Sequence, residues 1–365
     1  MNEKNDSSFR EPKILVIGVG GGGNNAIDRM IDASLTNVSY LAINTDIQIL
    51  EACKASCKLQ IGQKLTKGYG AGADSDIGEA AALENEEDIQ SLINGYDLCI
   101  ITCGMGGGTG TGAAPVIAKC CTEENILTIG VVTTPFSFES TPRITAAQRG
   151  LERLRSHVDT LFVIPNDKLI SLSDKPLDLD NAFTIADSVL KYTIEGITNI
   201  IYNKGLVNLD FNDLRTTLAG KGIGHLGIGI VDADQTVLEA TKLAINSPLL
   251  DTNIHGATNL LINTCGKIDI IGLNEAITYV REMAGNTVNI IWGTVSSSNY
   301  DEHKIVVTLI ATGMHEEKQD VPPTNAIPTH LPSFNHQNTV TNKKPLRQQE
   351  VELIIPSFLV NSIKK

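Results

Sequence analysis

The sequence predicts an α/β protein with a Rossmann-like parallel sheet, a long central helix, a second α/β domain with a mixed sheet, and a disordered C-terminal tail. Short apolar runs that end in glycine-rich loops indicate buried parallel strands, each followed by a helix. Apolar residues at helical spacing over 179–202 indicate one long, largely buried helix. After residue 220, strands and helices alternate less regularly, which favours a partly antiparallel sheet.

The composition restricts the class of partner. The 365 residues include 29 basic and 42 acidic side chains, which gives a formal charge of −13. This charge argues against a general nucleic-acid or anionic-membrane binder. Because no apolar run approaches the roughly 18 residues of a membrane span and residues 1–12 are polar, we expect a cytoplasmic protein. Cys53 and Cys57 could form half a metal site, but buried small hydrophobic side chains are the favoured interpretation.

The most informative stretch is 103–115, which contains six glycines. It follows the apolar residues 97–102 and precedes a helix start, with Pro115 expected in the first helical turn. Glycines let the backbone approach a ligand and direct successive N–H groups inward, and the helix dipole adds partial positive charge. A phosphate group is therefore the expected ligand of this loop.

A second glycine loop, 18–23, follows the apolar run 13–18, and a helix is predicted from about Asn24. Gly18, Gly20 and Gly23 fit the dinucleotide pattern G-x-G-x-x-G, with Asp46 about twenty residues further on, so an NAD(P)-dependent oxidoreductase stays open as an alternative. Two such loops at the ends of parallel strands favour one nucleotide with several phosphates. A third glycine-rich loop lies at 68–74, and 77–93 is predicted as an acidic surface helix.

Polar residues follow several predicted strands, at the edge where α/β sheets bind ligands. Asn166 follows the strand at 158–164, where a ligand contact and a turn or helix cap are equally ordinary roles. Asp187 lies on or beside the inward side of the long helix, although a solvent-facing position at a groove edge is the commoner arrangement. Asp210 and Asp213 are three residues apart, and on spacing alone we favour capping of a short helix. Neither the P-loop motif nor N-K-x-D occurs, so glycine-loop amides must hold the phosphates.

The stretch 104–112 resembles the signature of the tubulin/FtsZ GTPase family, which is a highly specific motif. Five flanking segments are also similar to the bacterial cell-division members of this family: 20–25, 44–46, 70–73, 164–168 and 208–213. The resemblance covers about residues 13–314, with a weaker match at the C-terminal peptide. It implies a Rossmann-like parallel-sheet GTPase domain and head-to-tail filaments, in which a loop of one subunit completes the nucleotide site of the next.

The resemblance also implies roles for individual residues. Asp210 and Asp213, with Asn208, would act on the GTP of the neighbouring subunit. Glu139 and Arg143 would approach the ribose and phosphates. The full set of implied contacts to GTP or GDP is Gly20, Gly21, Gly22, Gly23, Asn24, Asn25, Asn44, Ala71, Gly72, Ala73, Gly104, Gly106, Gly107, Gly108, Thr109, Gly110, Glu139, Arg143, Asn166, Phe183 and Asp187. Mg²⁺ would lie on the phosphates without assigned side-chain ligands, and a monovalent cation is a further candidate.

The implied organisation has seven parts. A flexible N-terminus (1–12) precedes the GTPase domain (13–178), the central helix (179–202), a catalytic loop with a short helix (203–220) and the C-terminal α/β domain (221–314). A disordered linker (315–350) and a partner-binding peptide (351–365) follow. The resemblance implies a homopolymer at a midcell division ring on the inner face of the membrane. Membrane-tethering and regulatory division proteins would bind residues 352–359, with no nucleic acid partner and no direct membrane insertion.

Two segments depart from the family pattern. Residues 140–142 are Ser-Thr-Pro where a glycine and basic residues are usual, which changes the loop between Glu139 and Arg143. Asp74-Ser75 replaces the usual Asn-Pro in the third glycine loop and adds a negative charge near the phosphates. Slower or weaker GTP turnover is the hypothesis that follows.

Overall fold

A computed structural model describes residues 10–35, 37–170, 179–202, 205–207, 209–247, 252–295 and 303–314. In chain order the elements are β1 (Ile14–Val19), α1 (Gly20–Asp32), β2 (Val38–Asn44), α2 (Ile47–Ala52), β3 (Cys57–Gln60), α3 (Gln63–Thr66), α4 (Ser75–Glu84), α5 (Glu86–Ile93), β4 (Leu98–Gly104), α6 (Thr109–Glu123), β5 (Leu127–Thr134), α7 (Thr141–Arg155), β6 (Thr160–Pro165), α8 (Asn166–Ile170), α9 (Leu179–Tyr202), β7 (Gly205–Val207), α10 (Phe211–Leu218), β8 (Gly222–Asp232), α11 (Val237–Ile245), β9 (Asn259–Cys265), α12 (Ile270–Ala284), β10 (Asn289–Val295) and β11 (Lys304–Thr312). Asn208, the linker and the C-terminal peptide, all named above, lie outside the described residues.

The described strands form one sheet in the order β3-β2-β1-β4-β5-β6-β8-β11-β9-β10-β7. The strands from β3 to β6 in this order are parallel, as the continuous apolar runs predict. The second half is mixed, because β11 is antiparallel to both β8 and β9 while β9 and β10 are parallel. The predicted fold class is confirmed: a Rossmann-like parallel sheet joined to a second α/β unit.

Helix α9 runs from the carboxyl ends of the parallel strands to their amino ends. It has 24 residues and therefore a length of about 36 Å. Near its start, Phe183 contacts Phe136, which follows the carboxyl end of β5. At its end, the Tyr202 hydroxyl donates to the Pro12 carbonyl at 2.7 Å, just before the amino end of β1. The predicted bounds, 179–202, agree with the structure, and buried residues such as Ile194 and Ile197 form the predicted apolar face.

The hydrophobic core has three parts. One lies between the parallel sheet and the face covered by α1 and α9, and a second lies on the opposite face under α4, α5, α6 and α7. The third lies under α11 and α12 in the second unit. Because both faces of the parallel sheet are covered, its loops at the carboxyl ends of the strands provide the accessible edge of this sheet.

Three local predictions are wrong. Helix α1 begins at Gly20 rather than Asn24, and α6 begins at Thr109, which places Pro115 inside the helix. In both cases the glycine-rich loop itself forms the first helical turns. The acidic stretch 77–93 forms two helices, because Asn85 accepts from the Gly62 N–H at 2.9 Å and donates to Asp88 at 2.8 Å, which interrupts the helix.

Two further findings concern metals and membranes. Cys53 directly follows α2 as its C-cap and Cys57 begins β3, so the two thiols do not share a helical face. Among the described residues no group of three or more His, Cys, Asp or Glu side chains is arranged to hold a metal ion. Within the same part of the chain, none of the helices has both the length and the apolar character that crossing a membrane requires.

Candidate functional site

Two glycine loops meet at the carboxyl edge of the parallel sheet. β1 and β4 are neighbours, and each leads directly into a loop that starts a helix, α1 at Gly20 and α6 at Thr109. A methyl group added at Gly20 would lie 3.0 Å from the Gly110 nitrogen, and one at Gly22 would lie 3.3 Å from the Gly104 nitrogen. The two loops therefore pack backbone against backbone. Two helix N-termini with uncapped N–H groups open onto this edge, which is a suitable environment for phosphate.

The third glycine loop packs against the second. A methyl group at Gly108 would lie 2.7 Å from the Ala71 side chain and 2.9 Å from the Asp74 carbonyl oxygen. The loop ends at Asp74, whose carboxylate caps α4 by accepting from the Asp76 N–H at 2.9 Å. All three predicted loops thus converge at one edge of the sheet, although they are separated by many residues in the sequence.

A buried side-chain network lies beneath the first loop. The Asn24 amide donates to the Gly18 carbonyl at 2.9 Å, and the Asn44 amide donates to the Asn24 side-chain oxygen at 2.7 Å. Thr45 and Thr109 share a hydroxyl–hydroxyl hydrogen bond of 2.6 Å between the end of β2 and the start of α6. These bonds fix the positions of the glycine loops, whereas Asn25 is exposed at the same edge.

A second group of candidate residues lies around the start of α9. Asn166 is the first residue of α8, directly after β6; it is 5% exposed, and its side-chain oxygen has no hydrogen-bond partner among the described residues. Phe183 is 39% exposed and contacts Phe136 edge-to-face at a centroid distance of 5.4 Å. Asp187 is one helical turn beyond Phe183, on the same face. An exposed aromatic ring, an unpaired buried acceptor and a carboxylate are suited to recognising a planar base with several donors.

Asp187 is buried and paired, in contrast to the commoner solvent-facing arrangement. Its Oδ2 accepts from Arg29 Nε at 3.1 Å, and a terminal nitrogen of Arg29 donates to Thr184 Oγ1 at 3.1 Å. Burial raises the pKa of Asp187 to about 6, and the Arg29 charge opposes this rise. Arg29 was not among the predicted site residues, because 158 positions separate it from Asp187.

The loop between β5 and α7 folds around Glu139. One carboxylate oxygen of Glu139 accepts from the Phe136 N–H at 2.9 Å, and the other accepts from Arg143 at 2.9 Å. The neighbouring Ser137 N–H donates to Asp167 at 2.9 Å, which ties this loop to α8. Glu139 therefore organises the loop, and about half of the Arg143 side chain is exposed to solvent.

The acidic pair of α10 lies far from these loops. The Asp210 carboxylate accepts from the Asp213 N–H at 2.8 Å and the Asp213 carboxylate accepts from the Asp210 N–H at 3.0 Å, which is a capping box. The capping role favoured from their spacing is therefore present. The Thr160 hydroxyl, at the amino end of β6, donates to the Leu218 carbonyl at 2.6 Å. Helix α10 thus borders the amino edge of the parallel sheet, opposite the glycine loops.

The fold and the site together define a nucleotide-binding protein of the tubulin type, in which glycine loops at strand ends take the place of a P-loop. Two family models match the chain: the GTPase domain of the tubulin/FtsZ family over residues 13–174 and the C-terminal domain of the FtsZ family over residues 222–315. The chain belongs to the FtsZ family.

Solved structures are similar to this chain over most of its length. An FtsZ dimer from M. jannaschii has 42% sequence identity and a TM-score of 0.77, with 83% of this chain and 89% of that chain covered. A mutant FtsZ from the same organism also has 42% identity, with a TM-score of 0.78 and coverages of 83% and 92%. CetZ2 from Haloferax volcanii, solved as a GTPγS-bound protofilament, has 19% identity, a TM-score of 0.73 and coverages of 84% and 94%, which shows a shared fold.

Proposed function

We propose that this protein is a filament-forming GTPase that assembles the division ring at the future septum of a bacterial cell. In this proposal GTP is hydrolysed to GDP and phosphate at the contact between successive subunits, and hydrolysis drives filament turnover. The tubulin/FtsZ GTPase domain supports GTP as the nucleotide, and the FtsZ C-terminal domain supports the cytoskeletal role. The FtsZ dimer and the CetZ2 protofilament named above are assemblies of similar proteins, which favours self-association here.

The observation that supports a shared site is the position of the acidic pair. The phosphate-type loops lie at the carboxyl ends of the parallel strands, whereas α10 borders the amino ends, and α9, about 36 Å long, runs between these two sides. This arrangement supports a role for Asp210 and Asp213 on the nucleotide of another subunit rather than on that of their own chain. A head-to-tail contact brings the amino edge of one subunit to the carboxyl edge of the next, and such a heterologous contact propagates as a filament.

In the proposed mechanism the phosphates bind to N–H groups of the glycine loops and the helix dipoles of α1 and α6. Phe183 packs against the base, while Asn166 and Asp187 read its polar edge. Asp210 and Asp213 of the adjacent subunit, with Asn208, orient the water that attacks the γ-phosphate. Each acid uses one oxygen in the capping box, so the box holds the carboxylates in place for this role. Phosphoryl transfer of this kind depends on positioning and charge stabilisation, with Mg²⁺ held on the phosphates.

The proposed partners and location follow from the family rather than from a described contact. Residues 352–359 would bind membrane-tethering and regulatory division proteins, and the filament would lie in the cytoplasm at midcell. To test this part of the proposal, the full chain and a chain truncated after residue 350 are compared for capture of the tether proteins, and a peptide containing residues 352–359 is tested in the same way.

Light scattering and phosphate release test the central proposal. GTP, and not GDP, is expected to trigger scattering by the purified protein, and specific activity is expected to rise above a threshold protein concentration. Activity proportional to protein concentration from the lowest dilution would instead mean that each monomer holds a complete site. Binding of NAD(P) with no binding of GTP would support the oxidoreductase alternative, and GTP binding with assembly but no phosphate release would support a non-catalytic scaffold.

A further inference from the structure

Arg29 makes a two-point contact with the helix that holds the proposed guanine-reading carboxylate. Its Nε donates to Asp187 Oδ2 at 3.1 Å and its terminal nitrogen donates to Thr184 Oγ1 at 3.1 Å. Thr184 precedes Asp187 by three residues, so both acceptors lie on one face of α9. A planar guanidinium bound at two points fixes the direction of the carboxylate more tightly than a single contact does.

The electrostatic setting of Asp187 makes this contact important for its ionisation. The side chain is only 12% exposed, and burial raises its pKa to about 6 even though the Arg29 charge opposes the rise. Of the elements packed against this part of α9, β5 contributes no titratable residue, α8 contributes Asp167 and Lys168, and α9 itself contributes Lys191 one turn further on. Helix α1 contributes Asp28, Arg29 and Asp32, and of these three Arg29 bonds the carboxylate directly.

The two protonation states of Asp187 recognise different bases. An ionised carboxylate only accepts hydrogen bonds, and it offers about four lone-pair sites, so the Arg29 bond leaves acceptors for the N1–H and 2-amino group of guanine. A protonated carboxyl group presents one donor and one acceptor, which suits the polar edge of adenine instead. The protonation state of Asp187 therefore determines whether the site favours guanine or adenine.

We propose that Arg29 is the positioning residue that keeps Asp187 oriented and ionised, and that it thereby sets the preference of this site for guanine over adenine nucleotides. This inference rests on the proposed function, in which Asp187 reads the base. Arg29 itself need not touch the nucleotide.

Binding of fluorescent GDP and ADP across pH tests the inference, with wild type, Arg29→Gln and Arg29→Lys compared. Loss of a neighbouring positive charge raises a carboxylate pKa by about 1–3 units, so GDP affinity of Arg29→Gln at pH 7 is expected to fall about tenfold. The GDP affinities of wild type and Arg29→Gln should differ by no more than about twofold near pH 8.5, where Asp187 is again ionised in the variant. The variant should also discriminate less between GDP and ADP at low pH, and Arg29→Lys should keep the wild-type pH profile.

The outcomes separate the inference from the function on which it depends. Parallel pH curves for wild type and Arg29→Gln, offset by a constant factor, would mean that Arg29 is only structural, and identical curves would mean that it has no role. An Arg29→Lys curve that follows Arg29→Gln would also overturn the inference. If Arg29→Gln does not fold, Thr184→Val is the alternative variant: a smaller shift in the same direction supports the inference, and an unchanged profile contradicts it. Wild type that binds no GDP at any pH would reject the proposed function itself.

Discussion

Replacement of Gly112 by alanine tests how the glycine loops are held together. Gly112 lies in α6 where α4 crosses it, and a methyl group there would overlap the Ser75 carbonyl oxygen and lie 2.5 Å from the Glu79 nitrogen. Both are backbone atoms of α4, so neither can rotate away. The third glycine loop runs directly into α4, and a displaced α4 therefore moves Ala71 and Asp74 away from the phosphate loop.

Two opposing effects set the size of the change. Alanine in a helix interior is favoured over glycine by about 0.5–1 kcal/mol, whereas overpacking of a close contact costs about 1–3 kcal/mol. We expect the clash to dominate, with a net loss of about 1–2 kcal/mol in the free energy of unfolding. This is a modest part of the about 5–15 kcal/mol typical of folded domains, so Gly112→Ala should fold. Its GDP affinity should nevertheless decrease.

Equilibrium urea denaturation with a matched control measures this effect. Gly196 in α9 is the control, because a methyl group there would lie 3.5 Å from side-chain carbons of Ile228 and Thr308, which is an ordinary contact distance. Gly196→Ala is therefore expected to be stabilised by about 0.5–1 kcal/mol. A Gly112→Ala protein that is as stable as wild type, or stabilised like the control, would refute the close-packing argument.

Three further predictions concern single residues. In Gly107→Asp, an added side chain meets no described atom within 4 Å of its Cβ, so circular dichroism should show a folded protein while fluorescent GDP no longer binds; retained binding would contradict the phosphate role of this loop. Asn caps a helix as well as Asp, so Asp74→Asn should keep its urea midpoint but bind GTP more tightly, and unchanged affinity would exclude the proposed charge effect. Burial lowers the pKa of His225 below 6.5, so the imidazole binds a proton more readily in the unfolded chain than in the folded protein. The free energy of unfolding should therefore fall as pH drops below about 6.5. Urea titrations of His225→Gln should show a weaker dependence on pH.

The sequence predicts the repeated and contiguous features well. Buried parallel strands are continuous apolar runs, and the apolar face of α9 has a clear helical period, so both are visible in short windows of sequence. Helix starts within glycine loops are harder to predict. Gly20 begins a helix because it is held against Gly110, a contact between segments that are far apart in the sequence.

The candidate site could likewise be predicted only in part from the sequence. Asn166 and Asp187 follow from the family resemblance, yet only the structure shows that Asn166 is buried, with a side-chain oxygen that has no partner in the described part of the chain, and that Asp187 is held by Arg29. No local signal marks Arg29, since an arginine on an amphipathic helix is ordinarily a solvent-exposed residue. The spacing of Asp210 and Asp213 correctly indicates a cap, but only the structure, through the contact between Thr160 and Leu218, shows that this helix borders the amino ends of the parallel strands.

Mixing two inactive variants is the most direct test of a site shared between subunits. Gly107→Asp should no longer bind a nucleotide but should keep an intact acidic pair. Asp213→Asn should bind GTP but lack that pair, and its asparagine preserves the size of the capping side chain. Each protein alone should release almost no phosphate. We predict that an equimolar mixture regains phosphate release, because a GTP-loaded Asp213→Asn subunit can meet the acidic pair of a Gly107→Asp subunit. A mixture that stays inactive although the two variants co-assemble, or an Asp213→Asn protein that hydrolyses GTP at the wild-type rate, would contradict it.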